Sequence, residues 1–216
     1  MNSPIASEGL RFKREWIEPY FYTSWANDVP ERWREIYMGI DPSLGSKTDD
    51  ASSIGIAVVC FDKRPDRHDI YVVDMVKAKL SLAEQVDVIV AKLEEWKPHA
   101  AMIESVLVNK IFSDRMLRMM PVLQPVIYRA NNASTGLRGT TDISKIGRIE
   151  NIVGWLFKKG KIRLRDPKLS PQSKLFIEEE YLQFPEGKLD LMDALNMACD
   201  RIDTRKAIGK FNVWMY

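Results

Sequence analysis

The sequence predicts an α/β domain built on a mixed sheet, in which a three-strand antiparallel meander is followed by parallel strands and flanked by helices. Three observations carry this. Three apolar runs follow one another between residues 35 and 76 with only turn chemistry between them, which is the pattern of a meander. A helical period with a start signal then leads into another short apolar run, as in a crossover to a parallel strand. The same alternation of helix and strand continues toward the carboxyl end.

The first strand, at 35–41, ends on Asp41, and Pro42 follows at once. A Gly/Ser/Asp turn leads to the second strand at 53–61, and the polar loop "DKRPDRHD" leads to a third, "IYVVDMV", at 70–76. "SLAE" at Ser81 has the form of a capping box, with Glu84 three residues after the N-cap. Leu82, Val86, Ile89, Val90 and Leu93 then recur at helical spacing up to Pro98. A fourth strand is expected at 100–105 ("AAMIES"), a helix at 109–119 and a fifth strand at 123–129. The polar loop "ANNASTGLRGTTD" follows, then a helix over 144–159 stopped by Gly160, a short strand "KIRLR", and helices at 171–182 and 190–205. This order of elements is the plan of an RNase H-like domain.

Residues 1–34 lack a clean period but carry seven aromatics, Phe12, Trp16, Tyr20, Phe21, Tyr22, Trp25 and Trp33. Their ring area has to be covered, either by the domain core or a neighbouring domain, or by stacked bases.

Composition narrows the chemistry. The chain has 216 residues, 45% apolar and 29% charged, with a net charge of +2, which is ordinary for a globular domain. No apolar run approaches the roughly 18 residues of a membrane span, and the amino end lacks the apolar core of a signal peptide, so an intracellular protein without a membrane partner is expected. Cys60 and Cys199 stand far apart with no Cys or His at a zinc spacing, and the only histidines are His68 and His99. That leaves little material for a disulfide framework, a zinc site or a Ser/His/Asp triad. Between Arg129 and Lys168 ten Lys/Arg stand against three Asp/Glu, a basic segment of the kind that binds a phosphate backbone.

Carboxylates are what remain. Asp41 and Glu104 each close an apolar run that belongs inside the sheet, and an isolated buried carboxylate is costly without a strong partner. If the first and fourth strands are parallel neighbours, both acids emerge side by side. In "KLDLMDAL", Asp190 and Asp193 are spaced i, i+3 and share a helix face, with Asp190 placed to cap that helix. Converging oxygen ligands with no His or Cys suit hard cations, Mg²⁺ or Mn²⁺. Two such ions can clamp the attacking water and the leaving oxygen of a phosphodiester.

From about Gly9 to Asp203 the chain resembles the nuclease domain of the large terminase subunit of tailed bacteriophages and related viruses. The matching stretches are "GLRFKREWIEPY", "GIDPSLGSKTDD", "MIES", "SKIGRIENIVGWLFKKGKIRL" and "DLMDALNMA", in that order. The resemblance implies a two-metal endonuclease that cuts concatemeric viral DNA during genome packaging in the host cytoplasm. Its implied partners are double-stranded DNA, an ATPase domain, a small terminase subunit and a portal. Asp41 and Glu104 match the first two acids and Asp190 or Asp193 the third. The family often carries a His and an extra Asp just before this last acid, where this sequence has Lys188 and Leu189. Asp50 matches an acid that often follows the first turn, although Asp49 and Asp50 also suit a plain turn. Lys145 and Arg148 match a basic helix pair that contacts phosphates, or they are surface charges paired with Glu150 or Asp142. Arg138, in a loop beside the cleft, and Arg129 are further expected DNA contacts.

No GxxxxGK[ST] motif occurs, and "GSKT" at 45–48 lacks the first glycine of a phosphate loop. The expectation is therefore a C-terminal nuclease domain at 35–216, with residues 1–34 as an arm from an ATPase domain. Two competing readings fit the same acids: another RNase H-like nuclease such as a Holliday-junction resolvase, and a non-catalytic DNA-binding or docking module.

Overall fold

The computed structural model describes residues 12–43, 53–103, 145–200 and 202. Glu104, Asp49, Asp50, Arg129, Arg138 and the expected helix and strand at 109–129 lie outside them.

The meander forms as the pattern predicts. Strand β1 (Arg34–Asp41) pairs antiparallel with β2 (Ile54–Asp62), which pairs antiparallel with β3 (Ile70–Ala78). Helix α1 (Leu82–Trp96) then crosses over to β4 (Ala100–Ile103), which lies parallel to β1. The start of α1 is a capping box: Ser81 Oγ accepts from the Glu84 amide, and the Ser81 amide donates to Glu84 Oε2 at 2.8 Å. Its end is Lys97, which takes up a left-handed conformation at φ 42° just before Pro98.

"KIRLR" does form a strand, β5 (Ile162–Leu164), which pairs parallel with β3 and so closes the edge opposite β4. The described strand order is β4-β1-β2-β3-β5. An antiparallel meander whose first strand takes a parallel neighbour after a helical crossover makes this an RNase H-like mixed sheet.

Three further helical segments follow β4 in the described chain. Helix α2 covers 145–158, with a π-helical stretch at Glu150–Gly154 in its middle. Gly160 ends it at φ 63°, where a side chain would be strained and would also meet the Tyr20 ring. Helix α3 covers 171–181 and again closes in a π turn, Ile177–Tyr181. Helix α4 is Asp190–Asp200. None of the described helices is long and apolar enough to cross a membrane.

Both faces of the sheet are covered, and β2 shows why its sequence is apolar throughout. Ile54, Ile56 and Val58 point toward Ile89 of α1, whereas Ala57, Val59 and Phe61 join the larger core formed with α2, α3 and α4. Alternate residues of a strand serve opposite faces, so a strand covered on both reads as one continuous run. Full burial of each large side chain contributes about 1.5–3 kcal/mol.

Residues 12–33 pack onto this body. Phe12 stacks on Phe184 at 4.4 Å and approaches Tyr181 at 5.1 Å, and Tyr22 donates its hydroxyl hydrogen to the Val72 carbonyl at 2.6 Å. The aromatic content of this stretch is thus used in packing. Cys60 and Cys199 are buried and unpaired, and burial pushes the Cys60 thiol up to about 12, as expected of inert packing cysteines.

Candidate active site

The site lies at the end of β1, where α4 crosses the sheet with almost no space between the backbones. Two glycines allow this approach. A Cβ on Gly39 would stand 1.9 Å from the Ala194 carbonyl oxygen, and one on Gly55 would stand 2.2 Å from the Asp190 carbonyl oxygen. Real contacts of that kind do not exist, so any side chain at either position pushes α4 off the sheet. Asp41 is two residues beyond Gly39 and therefore projects from the same face, toward α4.

That face brings several sequence-predicted residues together. Asp41 and Asp193 are buried, at 7% and 1% exposure, and Asp190 is 7% exposed one turn before Asp193. Lys145, the first residue of α2, places its Nζ 3.0 Å from Asp41 Oδ2 and 3.1 Å from Asp193 Oδ2. Arg148, one turn on, reaches to 3.9 Å from Asp193 Oδ1. Lys145 and Arg148 thus both approach Asp193 from α2. Burial works against the Lys145 charge, but Asp41 and then Asp193 outweigh it and hold its pKa above the ordinary lysine value.

Among the described residues, three acceptors of α4, Asp190 Oδ2, Asp193 Oδ1 and Asn196 Oδ1, and one donor, Arg148 Nε, are buried without a hydrogen-bond partner. An unpaired buried acceptor costs roughly 1–3 kcal/mol, so three on one helix stripe are oxygens that a bound ligand could satisfy. The stripe was readable as the i, i+3, i+6 spacing of Asp190, Asp193 and Asn196, of which only the acids were singled out.

Among the described residues no three His, Cys, Asp or Glu side chains alone form a cluster that could hold a metal ion. The donors nevertheless suit one. Two carboxylates from different elements already share a single ammonium, and the unbonded acceptors of α4 are all oxygen, the donor set of Mg²⁺ and Mn²⁺. β4 runs beside β1 with Ile103 opposite Ile40, and in the sequence the residues that follow these two are Glu104 and Asp41.

Two supporting residues escaped the sequence reading. Gln85 of α1, fully buried, clamps the chain just after Asp41: its Oε1 accepts from the Ser43 amide at 3.1 Å and its Nε2 donates to Ser43 Oγ at 3.0 Å. Glu180, also fully buried, accepts from the amides of Leu191 at 3.2 Å and Met192 at 2.8 Å and pairs with Lys77 at 2.7 Å. Burial raises the Glu180 pKa above the ordinary glutamate value, with Lys77 and the two amides pulling against it. This corrects the expectation that Asp190 caps α4. The Leu189 carbonyl accepts the first helical bond, from the Asp193 amide at 2.8 Å, so Asp190 lies inside the first turn and Glu180 supplies the cap from another helix.

No protein-family model matches the chain, and no curated protein matches it in sequence. Its fold is similar to several solved nuclease structures. One is the large terminase nuclease from thermophilic phage G20c, at 12% identity over 78% of this chain and 82% of that chain, with a TM-score of 0.48. Another is the g2p (large terminase) nuclease domain of bacteriophage SPP1 with bound Mn, at 19% identity, 80% and 92% coverage and a TM-score of 0.46. Thermus thermophilus RuvC follows at 15% identity, 80% and 96% coverage and a TM-score of 0.41.

Proposed function

We propose that this chain is a metal-dependent DNA endonuclease domain of the terminase type, which cuts concatemeric viral DNA during genome packaging. The observation that carries the reading is the meeting of buried Asp41 and Asp193 at the Lys145 ammonium, with an unbonded buried oxygen on each of Asp190 and Asp193, at one end of an RNase H-like sheet. Asp41 and Asp193, with Glu104 and Asp190, would hold two divalent ions, Mg²⁺ or Mn²⁺. Bound there, the ions would supply Lewis-acid activation of water and charge neutralisation at a phosphodiester.

The rest of the work falls to the protein. The close seat of α4 on Gly39 and Gly55 fixes the spacing of the acids across two elements. Gln85 holds the turn after Asp41, and the buried surroundings keep bulk water from screening the carboxylates. Lys145 and Arg148 stand on the rim where a scissile phosphate would approach, and such cations orient a backbone without reading its sequence. The resemblance further implies an ATPase domain, a small terminase subunit and a portal as partners, and the host cytoplasm as the setting.

The test is a plasmid-nicking assay with Mn²⁺, Mg²⁺ or EDTA on the wild type and Asp41→Ala. Cleavage that requires metal and disappears in the variant supports the reading; absence of cleavage with every metal, or cleavage unchanged in Asp41→Ala, refutes it.

A further inference from the structure

We propose that Glu180 is a positioning residue for the acid pair on α4, gripping the first turn of that helix and so setting where Asp190 and Asp193 present their oxygens. The inference rests on the metal-dependent reading of the site given above.

The geometry is specific. Glu180 sits in the π turn that closes α3, and both of its carboxylate oxygens are used on the start of α4, one for the amide of Leu191 and one for that of Met192. These two residues are the ones between Asp190 and Asp193, so a shift of the grip moves both acids as a unit. Lys77 from β3 holds the carboxylate in turn, at 2.7 Å, and contacts the neighbouring Glu179 at 3.3 Å. A helix, a strand and the acid-bearing helix thus meet at a single carboxylate.

A purely structural role explains this poorly. An ion pair built on a fully buried carboxylate is seldom the most stable solution, since an apolar pair of similar volume is often as good or better. What the carboxylate provides that an apolar residue cannot is a fixed two-point attachment to backbone amides, the kind of supporting contact that keeps ligands in register. It also keeps the Lys77 ammonium committed to Glu180, leaving the spare Asp190 oxygen available for a metal ion.

The experiment measures Mn²⁺ affinity by electron paramagnetic resonance, together with hydrogen exchange at the Leu191 and Met192 amides. It compares the wild type, Glu180→Gln, the double variant Lys77→Met/Glu180→Leu, and Asp193→Asn. The double variant removes both charges of the pair together, so neither is left without its partner as it is in a single change. The expected result is faster exchange at the two amides and Mn²⁺ binding weakened by about 10- to 100-fold in the folded variants. Wild-type Mn²⁺ affinity in a folded variant without the Glu180 carboxylate overturns the inference, even where the melting temperature falls. A wild type that binds no Mn²⁺, or whose binding survives Asp193→Asn, instead removes the metal reading itself, and the inference with it.

Discussion

The two ends of the sheet both bury acids, and they treat them in opposite ways. At the end where β2 runs into the β2–β3 loop, Asp62 and Asp69 are buried at 0% and 4% exposure. Arg64 Nε reaches both oxygens of Asp62 at 2.9 Å, and the Arg64 amide adds a bond at 3.1 Å. Arg163 holds Asp69 Oδ2 from two nitrogens, at 3.0 and 2.8 Å, with Lys161 3.7 Å from Oδ1. Neither acid has a fully buried oxygen left unbonded. At the opposite end, Asp41 and Asp193 share one lysine, and one oxygen each of Asp190 and Asp193 finds no partner among the described residues. Acids that hold a fold together are matched to cations and bonded to capacity. On the proposed function, the acids at the other end are left in excess for a ligand, at a cost in stability that its binding would offset.

The largest expected effect separates the two ends by activity. Asp41→Asn or Asp193→Asn lowers nicking by about 10²- to 10³-fold, the scale of removing one preorganised electrostatic group, while the melting temperature holds steady or rises because like charges are thinned. Asp69→Asn does the reverse. It costs about 2–3 kcal/mol of stability through lost charge-assisted bonds, read by urea denaturation, and leaves the activity of the folded fraction intact. Equal losses of activity at both ends would erase the distinction.

A smaller effect sharpens it. Gly55→Ala pushes the start of α4 away from β2 and costs about 1–3 kcal/mol by overpacking. Because the displaced segment begins with Asp190, this variant also weakens Mn²⁺ binding. Wild-type affinity in Gly55→Ala would show that the acids tolerate a displaced helix.

The smallest effect belongs to the structural end. Glu35 loses some solvation there, but Tyr37 and Lys63 bond it and hold its pKa below the ordinary glutamate value. A depressed carboxylate contributes stability that is fully present above its unfolded pKa, about 4.3, and is lost as pH falls through the folded value. Tyr37→Phe should therefore melt slightly below the wild type at pH 7, with the gap closing as pH falls toward 3. A gap that widens on acidification would contradict the assignment.

Much of this was legible in the sequence where the cause is local. The capping box at Ser81, the stop at Gly160, the meander and the acid at the end of β1 each declare themselves within a few residues. So did the two acids on one face of α4. What could not be read was partnership at long range. Lys145 meets Asp41 across 104 residues, Lys77 meets Glu180 across 103, and Gln85 meets Ser43 across 42. "KIRLR" was readable as a strand, but not its parallel seat beside β3. Asp190 had the chemistry of a helix cap, but nothing local revealed that a glutamate from α3 occupies that role.

The most direct test of the central claim is a thermal-shift measurement with and without Mn²⁺ on the wild type, Asp193→Asn and Asp69→Asn. Ligand that binds only the folded state stabilises it by about 2.7 kcal/mol at a hundredfold excess over Kd. The account predicts that Mn²⁺ raises the melting temperature of the wild type and of Asp69→Asn but not of Asp193→Asn. A rise of equal size in all three, or in none, would contradict it.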